Sequence, residues 1–253
     1  MVDNTQRISV CMITYNAIRT IETALTSIRA FADVVILDSG SDDGTLEIVS
    51  KLEIRCYPQP WLGFGPQKNK CLDFALNDWV LFLDADEYLS EALLSEIKNL
   101  DLSDPNQSFR FKRQNCLMGR QVKFSGWGND RVVRLFNKKT TRFLDRPVHE
   151  SVIPTQTVRN LNGPLHHHPY PTLESIQDKT RTYARLAHEH LKSEGWHQEP
   201  VAQTMLRAGW AFCRPFIFRL GFLDGITGIR VARMAAHYTF LKYQGDHSEI
   251  RQD

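Results

Sequence analysis

The sequence has few cysteines, and they lack the spacings of a metal site or a disulfide framework. Its 253 residues include five cysteines, none in a CxxC pair, at Cys11, Cys56, Cys71, Cys116 and Cys213. An odd, dispersed set is typical of a protein in a reducing compartment. The N-terminus, MVDNTQR, is polar and precedes only a short apolar run. We therefore expect a cytoplasmic protein without a signal peptide.

Three other features are scarce or missing. The formal net charge is only +2, so no polyanionic partner is required, and no nucleic acid is expected. No apolar run approaches the roughly 20 residues that a membrane-spanning helix needs. Neither GxxxxGK[ST] nor GxGxxG occurs, which removes the two usual loops for binding nucleotide phosphates.

Short apolar runs alternate with helical stretches over the first 90 residues, the pattern of a parallel α/β sheet. The pattern predicts strands at 8–14, 33–38, 54–57 and 79–83, and helices at 17–31, 45–52 and 66–76. Between residues 108 and 168 the period changes to two, which predicts a mixed or antiparallel extension of the sheet. From residue 173 onward the pattern is helical again.

Two carboxylates, Asp84 and Asp86, follow the most apolar predicted strand, WVLFL. In open α/β sheets ligands bind outside the carboxyl ends of the strands. A pair of carboxylates there can hold a hard divalent cation against a diphosphate. We therefore expect a site for Mg²⁺ or Mn²⁺ here, and the alternative is a solvated acidic strand end.

Polar side chains also end the first two predicted strands. Thr14, Tyr15 and Asn16 follow the first strand, and Asp38 ends the second, before a turn of small residues that begins at Ser39. Parallel strands bring these ends to one edge of the sheet. A carboxylate at Asp38 is placed to accept from a base N–H or a ribose hydroxyl. The alternative is a capped turn without a ligand.

These three strand ends, TYN at 14–16, DSGSDDGT at 38–45 and DAD at 84–86, resemble the inverting glycosyltransferase family 2, which has the GT-A fold. Further motifs resemble one branch, the lipopolysaccharide inner-core glucosyltransferases that modify heptose. They are GFGPQKN at 63–69, RLF at 134–136, VHE at 148–150 and GFLDG at 221–225. The resemblance covers about residues 8 to 245.

The resemblance implies an α/β protein of GT-A type, with a Rossmann-like mixed sheet flanked by helices and a C-terminal helical extension. We expect a catalytic domain over residues 1–170, with a nucleotide-binding half at about 1–100 and an acceptor half at about 101–170. The helical, basic and aromatic extension is expected over residues 171–253.

The resemblance also implies how the donor, a UDP-sugar, is bound. Asp38 contacts the uracil and Tyr15 lines its pocket, with Thr14, Asn16 and Ser39 close by. Lys68 and Asn69 approach the nucleotide. A positive charge at Lys68, at the start of a helix, would neutralise part of the diphosphate charge, and the alternative is a surface lysine.

For the metal, the resemblance implies that Asp84 with Asp86 binds sugar and cation. In GT-A enzymes a late histidine often completes the metal shell, and the register of the branch pattern favours His167. Its neighbours in the run HHH are histidines too, so His166 and His168 remain alternatives. A surface histidine cluster is the other interpretation. Pro169 is expected to end this strand.

An inverting transfer is a single displacement, so a base must take the proton of the acceptor hydroxyl. Two carboxylates are candidates, Glu150 in VHE and Asp130 in GWGND. Chain order favours Glu150, because the family's base follows the DxD half near the final strand. Arg131 and Arg134 are candidates for contacting an acidic acceptor.

Between residues 205 and 243 six basic residues stand against a single acid, Asp224, among many aromatic and aliphatic residues. Basic, aromatic amphipathic helices lie in membrane interfaces and attract anionic lipid. We therefore expect peripheral association with the inner face of the cytoplasmic membrane, which suits a lipid-linked or lipopolysaccharide acceptor. The alternative is a helical bundle with a basic solvent face.

The predicted function is transfer of a hexose, glucose from UDP-glucose, onto an inner-core heptose of lipopolysaccharide. Within the same fold the alternatives are another UDP-sugar or another acceptor, which can be a different glycan, a lipid or a protein. A different class of function is a non-catalytic module that binds sugars or membranes.

Overall fold

The structure of the protein is a computed structural model that describes residues 3–144, 151–153 and 155–245. The chain divides into two compact units. The first consists of Met1–Gln114 and Arg131–His167, and the second of Asn115–Asp130 and His168–Asp253. The predicted domains, residues 1–170 and 171–253, stay a prediction.

The described strands form one mixed sheet. They are β1 (Ile8–Thr14), β2 (Asp33–Asp38), β3 (Arg55–Pro58), β4 (Trp79–Asp84), β5 (Glu87–Leu89), β6 (Gln107–Leu117), β7 (Arg120–Gln121), β8 (Asp130–Asn137) and β9 (Thr157–Tyr170). Their order is β3-β2-β1-β4-β8-β6-β9-β5, with β7 paired to β6. The strands β3, β2, β1 and β4 are parallel. β8 lies antiparallel to β4, and β5 lies antiparallel to β9.

Helices of the first unit flank this sheet. They are α1 (Ile21–Ser27), α2 (Thr45–Lys51), α3 (Phe64–Asp73) and α4 (Glu91–Lys98). All seven residues of β1 are buried, as expected of a strand covered on both faces. The fold is therefore the predicted GT-A type, a Rossmann-like mixed sheet flanked by helices.

Two predicted element boundaries are wrong for identifiable reasons. The first helix was expected over residues 17–31, but α1 begins at Ile21. The preceding residues instead donate backbone hydrogen bonds to the next loop, from Ala17 to Thr45 and from Ile18 to Asp43. Pro169 does not end β9, which continues to Tyr170. Pairing beyond the proline uses the Tyr170 carbonyl, which accepts from Met118, so the missing proline N–H is not needed.

The second unit contains α5 (Leu173–Ser193), α6 (Val201–Cys213) and α7 (Ile226–Gln244). A capping box at Thr172 and Ser175 begins α5. A π-helical segment (Arg214–Phe218) and a 3-10 segment (Gly221–Asp224) connect α6 to α7. The predicted C-terminal helical extension is confirmed. None of the helices in the described part of the chain is long and apolar enough to cross a membrane.

Candidate active site

The carboxyl ends of the parallel strands bring the predicted donor residues to one edge of the sheet. In the strand register Thr14 is the partner of Asp38, and Ile13 is the partner of Asp84. Side chains that are 24 and 70 residues distant from Thr14 along the chain thus follow adjacent strands. This edge is where ligands bind in open α/β sheets.

Asp38 is almost fully buried and organises the turn that follows it. Its Oδ2 accepts from the backbone N–H groups of Gly40 and Ser41, both at 2.8 Å, and its Oδ1 accepts from the Ser41 hydroxyl. The predicted capped turn is therefore present. The Ser39 hydroxyl accepts at 3.1 Å from Nε2 of Gln67, a fully buried residue of α3. Contact between Asp38 or Ser39 and uracil stays a prediction.

The loop after β1 is joined to the loop after β2. The Asn16 backbone has a φ of 48°, and its N–H donates to Ser41 while its side-chain amide donates to Asp42. Tyr15, the residue before Asn16, is 63% exposed, and Thr14 is buried. Tyr15 is thus exposed to solvent beside a loop that hydrogen bonds hold in place. Its contact with a nucleotide base stays a prediction.

Lys68 is buried, so the alternative of a surface lysine is wrong. Its side chain is 2% exposed, and its Nζ lies 2.8 Å from Oδ1 of Asp84. The ammonium also lies 5.2 Å from the ring centroid of Phe82 and 5.4 Å from that of Phe143. A desolvated cation between two ring faces is strongly held. Lys68 therefore neutralises and positions Asp84.

Asn69 bonds to the backbone through both ends of its amide. Its Nδ2 donates to the Phe143 carbonyl and its Oδ1 accepts from the Phe143 N–H, each at 2.9 Å. This pair fixes the strand bridge between Phe143 and Val152 next to α3. The geometry accounts for Asn69 as a structural residue, and its contact with nucleotide stays a prediction.

Asp84 is held as an anion by two cations. Lys68 bonds Oδ1, and the guanidinium of Arg134, from β8, bonds Oδ2. Burial alone would raise the pKa of this carboxyl, but Arg134 and Lys68 outweigh burial and hold its pKa well below the usual range. The side chain remains 28% exposed. A fixed, ionised carboxylate at the strand end is therefore available to a ligand.

Glu87, which was not predicted from the sequence, contacts both Asp84 and Arg134. Its side chain is fully buried, and its Oε1 accepts from Arg134 at 2.7 Å and from Arg113, on β6, at 3.2 Å. Its Oε2 accepts from the Asp84 backbone N–H at 3.2 Å. Glu87 thus anchors both the Asp84 backbone and the Arg134 guanidinium. An acid directly after DAD was the only signal available in the sequence.

This network also corrects the expectation that Arg134 contacts an acidic acceptor. Its side chain is only 7% exposed and is bonded to Asp84 and Glu87. Arg131, at the start of β8, is exposed. Only Arg131 of the two keeps a surface position compatible with such a contact.

Asp86 and His167 form the second half of the site. Nε2 of His167 lies 3.5 Å from Oδ1 of Asp86, and the two side chains are 14% and 20% exposed. Glu87 is the β-sheet partner of His167. Burial lowers the pKa of His167 against the opposing effect of Asp86 and Glu87. The ring is therefore neutral at pH 7, which is the form of imidazole that ligates metal ions.

The neighbouring histidines have different surroundings. Successive side chains of a strand point to opposite faces, so His166 lies on the other face of β9 from His167. It stacks on Tyr88, with ring centroids 4.7 Å apart. His168 belongs to the second unit. Among the three candidates, His167 is the histidine that the structure brings to Asp86 within the first unit.

The donor set of Asp86 and His167 suits a divalent cation that takes its other ligands from a diphosphate and water. An oxygen and a neutral nitrogen donor lie close enough to share one ion. Within residues 3–144, 151–153 and 155–245, no group of three or more His, Cys, Asp and Glu side chains is arranged to hold a metal. A cation held by Asp86 and His167 would therefore take further ligands from outside this pair.

The structure describes one of the two candidate bases, Asp130, and not the other, Glu150. Asp130 is the first residue of β8, and its Oδ2 accepts from Nδ2 of Asn115 at 3.0 Å, within the second unit. Glu150, with the rest of VHE, lies outside the described residues. The choice between them stays open.

Comparison with known proteins identifies the family. The profile described as "Glycosyl transferase family 2" matches residues 9–159, more than half of the chain. An uncharacterized glycosyltransferase of Rickettsia typhi is 29% identical over 252 residues, covering 94% of this chain and 85% of the relative. The lipopolysaccharide core biosynthesis glycosyltransferase LpsC of Rhizobium meliloti is 29% identical over 227 residues, covering 86% and 83%.

Solved structures with weaker similarity include the following two. TarS of S. aureus, residues 1–349, is 14% identical with a TM-score of 0.45, covering 93% of this chain and 90% of that one. Glucosyl-3-phosphoglycerate synthase from Mycobacterium tuberculosis, solved with Mn²⁺, UDP-glucose and phosphoglyceric acid, is 23% identical with a TM-score of 0.34, covering 44% of each chain. On the profile match, this chain belongs to glycosyltransferase family 2.

Proposed function

We propose that the protein is an inverting, metal-dependent hexosyltransferase that moves glucose from UDP-glucose onto a heptose of the lipopolysaccharide inner core. The observation that carries the proposal is the arrangement at the end of β4. There an ionised Asp84, fixed by Lys68 and Arg134, lies two residues before the Asp86 carboxylate that faces His167. Family membership supports glycosyl transfer as the reaction.

Each part of this arrangement has a role in the proposed reaction. Asp86 and His167 would hold a divalent cation, which when bound stabilises the negative charge of the departing diphosphate. Asp84 is placed to accept hydrogen bonds from hydroxyl groups of the donor sugar. Because Lys68 and Arg134 fix both of its oxygens, Asp84 needs no rearrangement when the donor binds.

The bond changes of the proposed transfer balance in one displacement. The acceptor oxygen forms a bond to the anomeric carbon while the bond from that carbon to the diphosphate oxygen breaks. The acceptor proton passes to a carboxylate, and UDP leaves. Glu150 is favoured as the base over Asp130 by chain order. Because the attack is a single displacement, the configuration of the anomeric carbon inverts.

The proposed acceptor and the proposed donor are supported by different observations. The Rhizobium meliloti relative LpsC is named as a lipopolysaccharide core glycosyltransferase, and its similarity extends over most of both chains. The exposed Tyr15, next to the loop that Asp38 orders at this edge of the sheet, supports a nucleotide base next to the site. Glucose and heptose are proposed from the resemblance of GFGPQKN and GFLDG to the inner-core branch.

The test is a transfer assay with radiolabelled UDP-glucose and lipopolysaccharide truncated to expose the inner-core heptose. UDP-galactose and GDP-mannose are the competing donors. The proposal expects Mn²⁺- or Mg²⁺-dependent transfer of glucose, with inversion at the anomeric carbon seen by NMR. Transfer with retention, or preferential transfer of another sugar, contradicts it.

Two variants assign the base in the same assay. Glu150→Gln is expected to lose turnover and keep donor binding, whereas Asp130→Asn keeps turnover. Asp73→Asn is the matched control, because this carboxyl is 45% exposed and pairs with the surface cations Lys70 and Arg142. The opposite result for the two variants would move the base to Asp130. Full turnover in both would contradict base catalysis by either carboxylate.

A further inference from the structure

The second unit exposes a large set of apolar side chains between the middle of α6 and the start of α7. Each of these residues leaves close to half or more of its surface in contact with solvent. We call the following six the α6–α7 apolar surface: Leu206, Trp210, Phe218, Leu220, Leu223 and Ile226. Leu206 is 77% exposed and Phe218 is 66% exposed. Clusters of exposed apolar residues on this scale mark interaction sites.

Several apolar side chains of this region are neighbours in space. Leu206 and Trp210 are four residues apart on α6, so they share one face of the helix. The Trp210 ring lies 5.2 Å from that of Phe218 in the π-helical segment, and Phe216 lies 6.4 Å from Phe222 in the 3-10 segment. The opposite side of α6 is buried through Thr204 and Ala208. The apolar side chains therefore continue from α6 through both connecting segments.

The segment that carries this surface is rich in positive charge, and one of its arginines, Arg207, pairs with Glu199 just before α6. Between residues 201 and 245 the chain has five arginines, one lysine and a single acid, Asp224. The Asp224 carboxylate accepts from the backbone N–H groups of Lys123 and Phe124, at 3.1 and 2.9 Å. By contrast, Arg214 and Arg233 are exposed. Arg233 is seven residues after Ile226, on the same face of α7.

We propose that the α6–α7 apolar surface docks on an anionic lipid bilayer. Apolar and aromatic side chains would enter the interface, and the arginines at the margin would meet lipid phosphates. A second copy of this chain is a poorer occupant. In a symmetric dimer the same patch faces itself, which would set the arginines of one copy against those of the other.

This inference does not rest on the proposed sugar transfer, because docking depends on α6, α7 and the segments between them. It adds a partner that recognises the second unit through apolar area and positive charge. Its test therefore measures lipid binding directly, and donor binding is measured beside it as a check on the first unit.

The experiment is sedimentation of the full chain with vesicles of phosphatidylcholine alone or with one quarter phosphatidylglycerol. We expect binding to the anionic vesicles that falls as salt is added, because charge attraction is screened. The triple variant Leu206→Ser, Phe218→Ser, Leu223→Ser is expected to bind at least about tenfold more weakly. Arg214→Glu with Arg233→Glu is expected to lose about tenfold or more on anionic vesicles.

The controls lie in the first unit. Leu76→Ser removes a side chain that is 74% exposed, and Arg29→Glu reverses an exposed charge. Both should bind vesicles as the unchanged protein does, with the same circular dichroism and thermal midpoint. Absence of binding to anionic vesicles overturns the proposal, as does equal binding by the surface and control variants. A lipid-independent dimer that the triple variant abolishes also overturns it, in favour of a second copy.

Discussion

The ammonium of Lys68 lies 2.8 Å from Oδ1 of Asp84, and the lysine side chain is 2% exposed. Together with Arg134, a helix that begins at Phe64 thus supplies the positive charge that keeps a strand-end carboxylate ionised. The first acid of DAD is therefore part of an internal ion-pair network, while the second, Asp86, faces His167. This division of roles has measurable consequences for stability and ligand binding.

Replacing Lys68 with Met should destabilise the protein strongly. The change removes a buried cation from Asp84, and breaking such a pair costs about 3 kcal/mol of the free energy of unfolding. Lys70→Met is the matched control on the same helix, because Lys70 is 45% exposed and its nearest acid atom, on Asp73, is 3.9 Å away. The control should change stability by less than about 0.5 kcal/mol in urea unfolding. Equal losses for the two variants would contradict the network.

Glu87→Gln should act through the two arginines that Glu87 binds. The substitution keeps the shape but removes the buried negative charge between Arg113 and Arg134. We expect a loss of about 3 kcal/mol in the free energy of unfolding, and lower turnover because Arg134 no longer holds Asp84 in place. Glu91→Gln, at an exposed position of α4, should change neither quantity. Unchanged stability and turnover in Glu87→Gln would show that the network is dispensable.

Asn69→Ala tests whether this amide serves the fold. Without it the N–H and carbonyl of Phe143 lose their partners, which should cost about 1–2 kcal/mol. Hydrogen exchange at the Phe143 amide should become faster by a corresponding factor. Asn99→Ala is the control, since the Asn99 side chain is exposed and donates to the Ser95 carbonyl of α4. Unchanged exchange at Phe143 would contradict the structural role.

Asp43 should give part of the stability a defined pH dependence. Burial alone would raise its pKa, but hydrogen bonds from Thr45 and the Ile18 backbone lower the pKa below its ordinary value. A carboxyl with a lowered pKa in the folded state stabilises the protein above the unfolded pKa, about 3.9. This contribution is lost as pH falls through the folded pKa.

The corresponding experiment compares Asp43→Asn with Glu53→Gln, an exposed control. Asp43 accepts from the Ile18 N–H, the Thr45 N–H and the Thr45 hydroxyl, and asparagine cannot accept all three hydrogen bonds. At pH 7 the Asp43 variant should therefore be less stable than the unchanged protein by about 1 kcal/mol. The difference should shrink below about pH 4. A difference that stays constant from pH 7 to pH 3 would contradict the assignment.

The sequence predicted the parallel half of the sheet because its strands are buried apolar runs that end in polar residues. The bounds of β1 and β2 and the common edge of Thr14, Asp38 and Asp84 were confirmed for this reason. By contrast, the shortening of α1 depends on hydrogen bonds between two loops. Such contacts between distant segments have no periodic signal along the chain.

Within the site, the same distinction separates what was predicted from what was missed. The position of Asp84 follows from the end of an apolar strand. Its partners do not, because Arg134 lies 50 residues further along and reaches Asp84 only when β8 pairs with β4. Glu87 likewise acquires its role from Arg113, 26 residues away on β6. Only the folded sheet shows that these charges meet.

A metal-dependent UDP-sugar site at Asp86 and His167 is tested most directly by calorimetric titration. UDP-glucose, UDP-galactose and GDP-mannose are titrated into the unchanged protein, Asp86→Asn, His167→Gln and the exposed control Glu22→Gln, each with and without Mn²⁺. We predict Mn²⁺-dependent binding of UDP-glucose that both site variants lose and the control keeps. Binding that is independent of Mn²⁺, or retained in full by Asp86→Asn, would contradict the account.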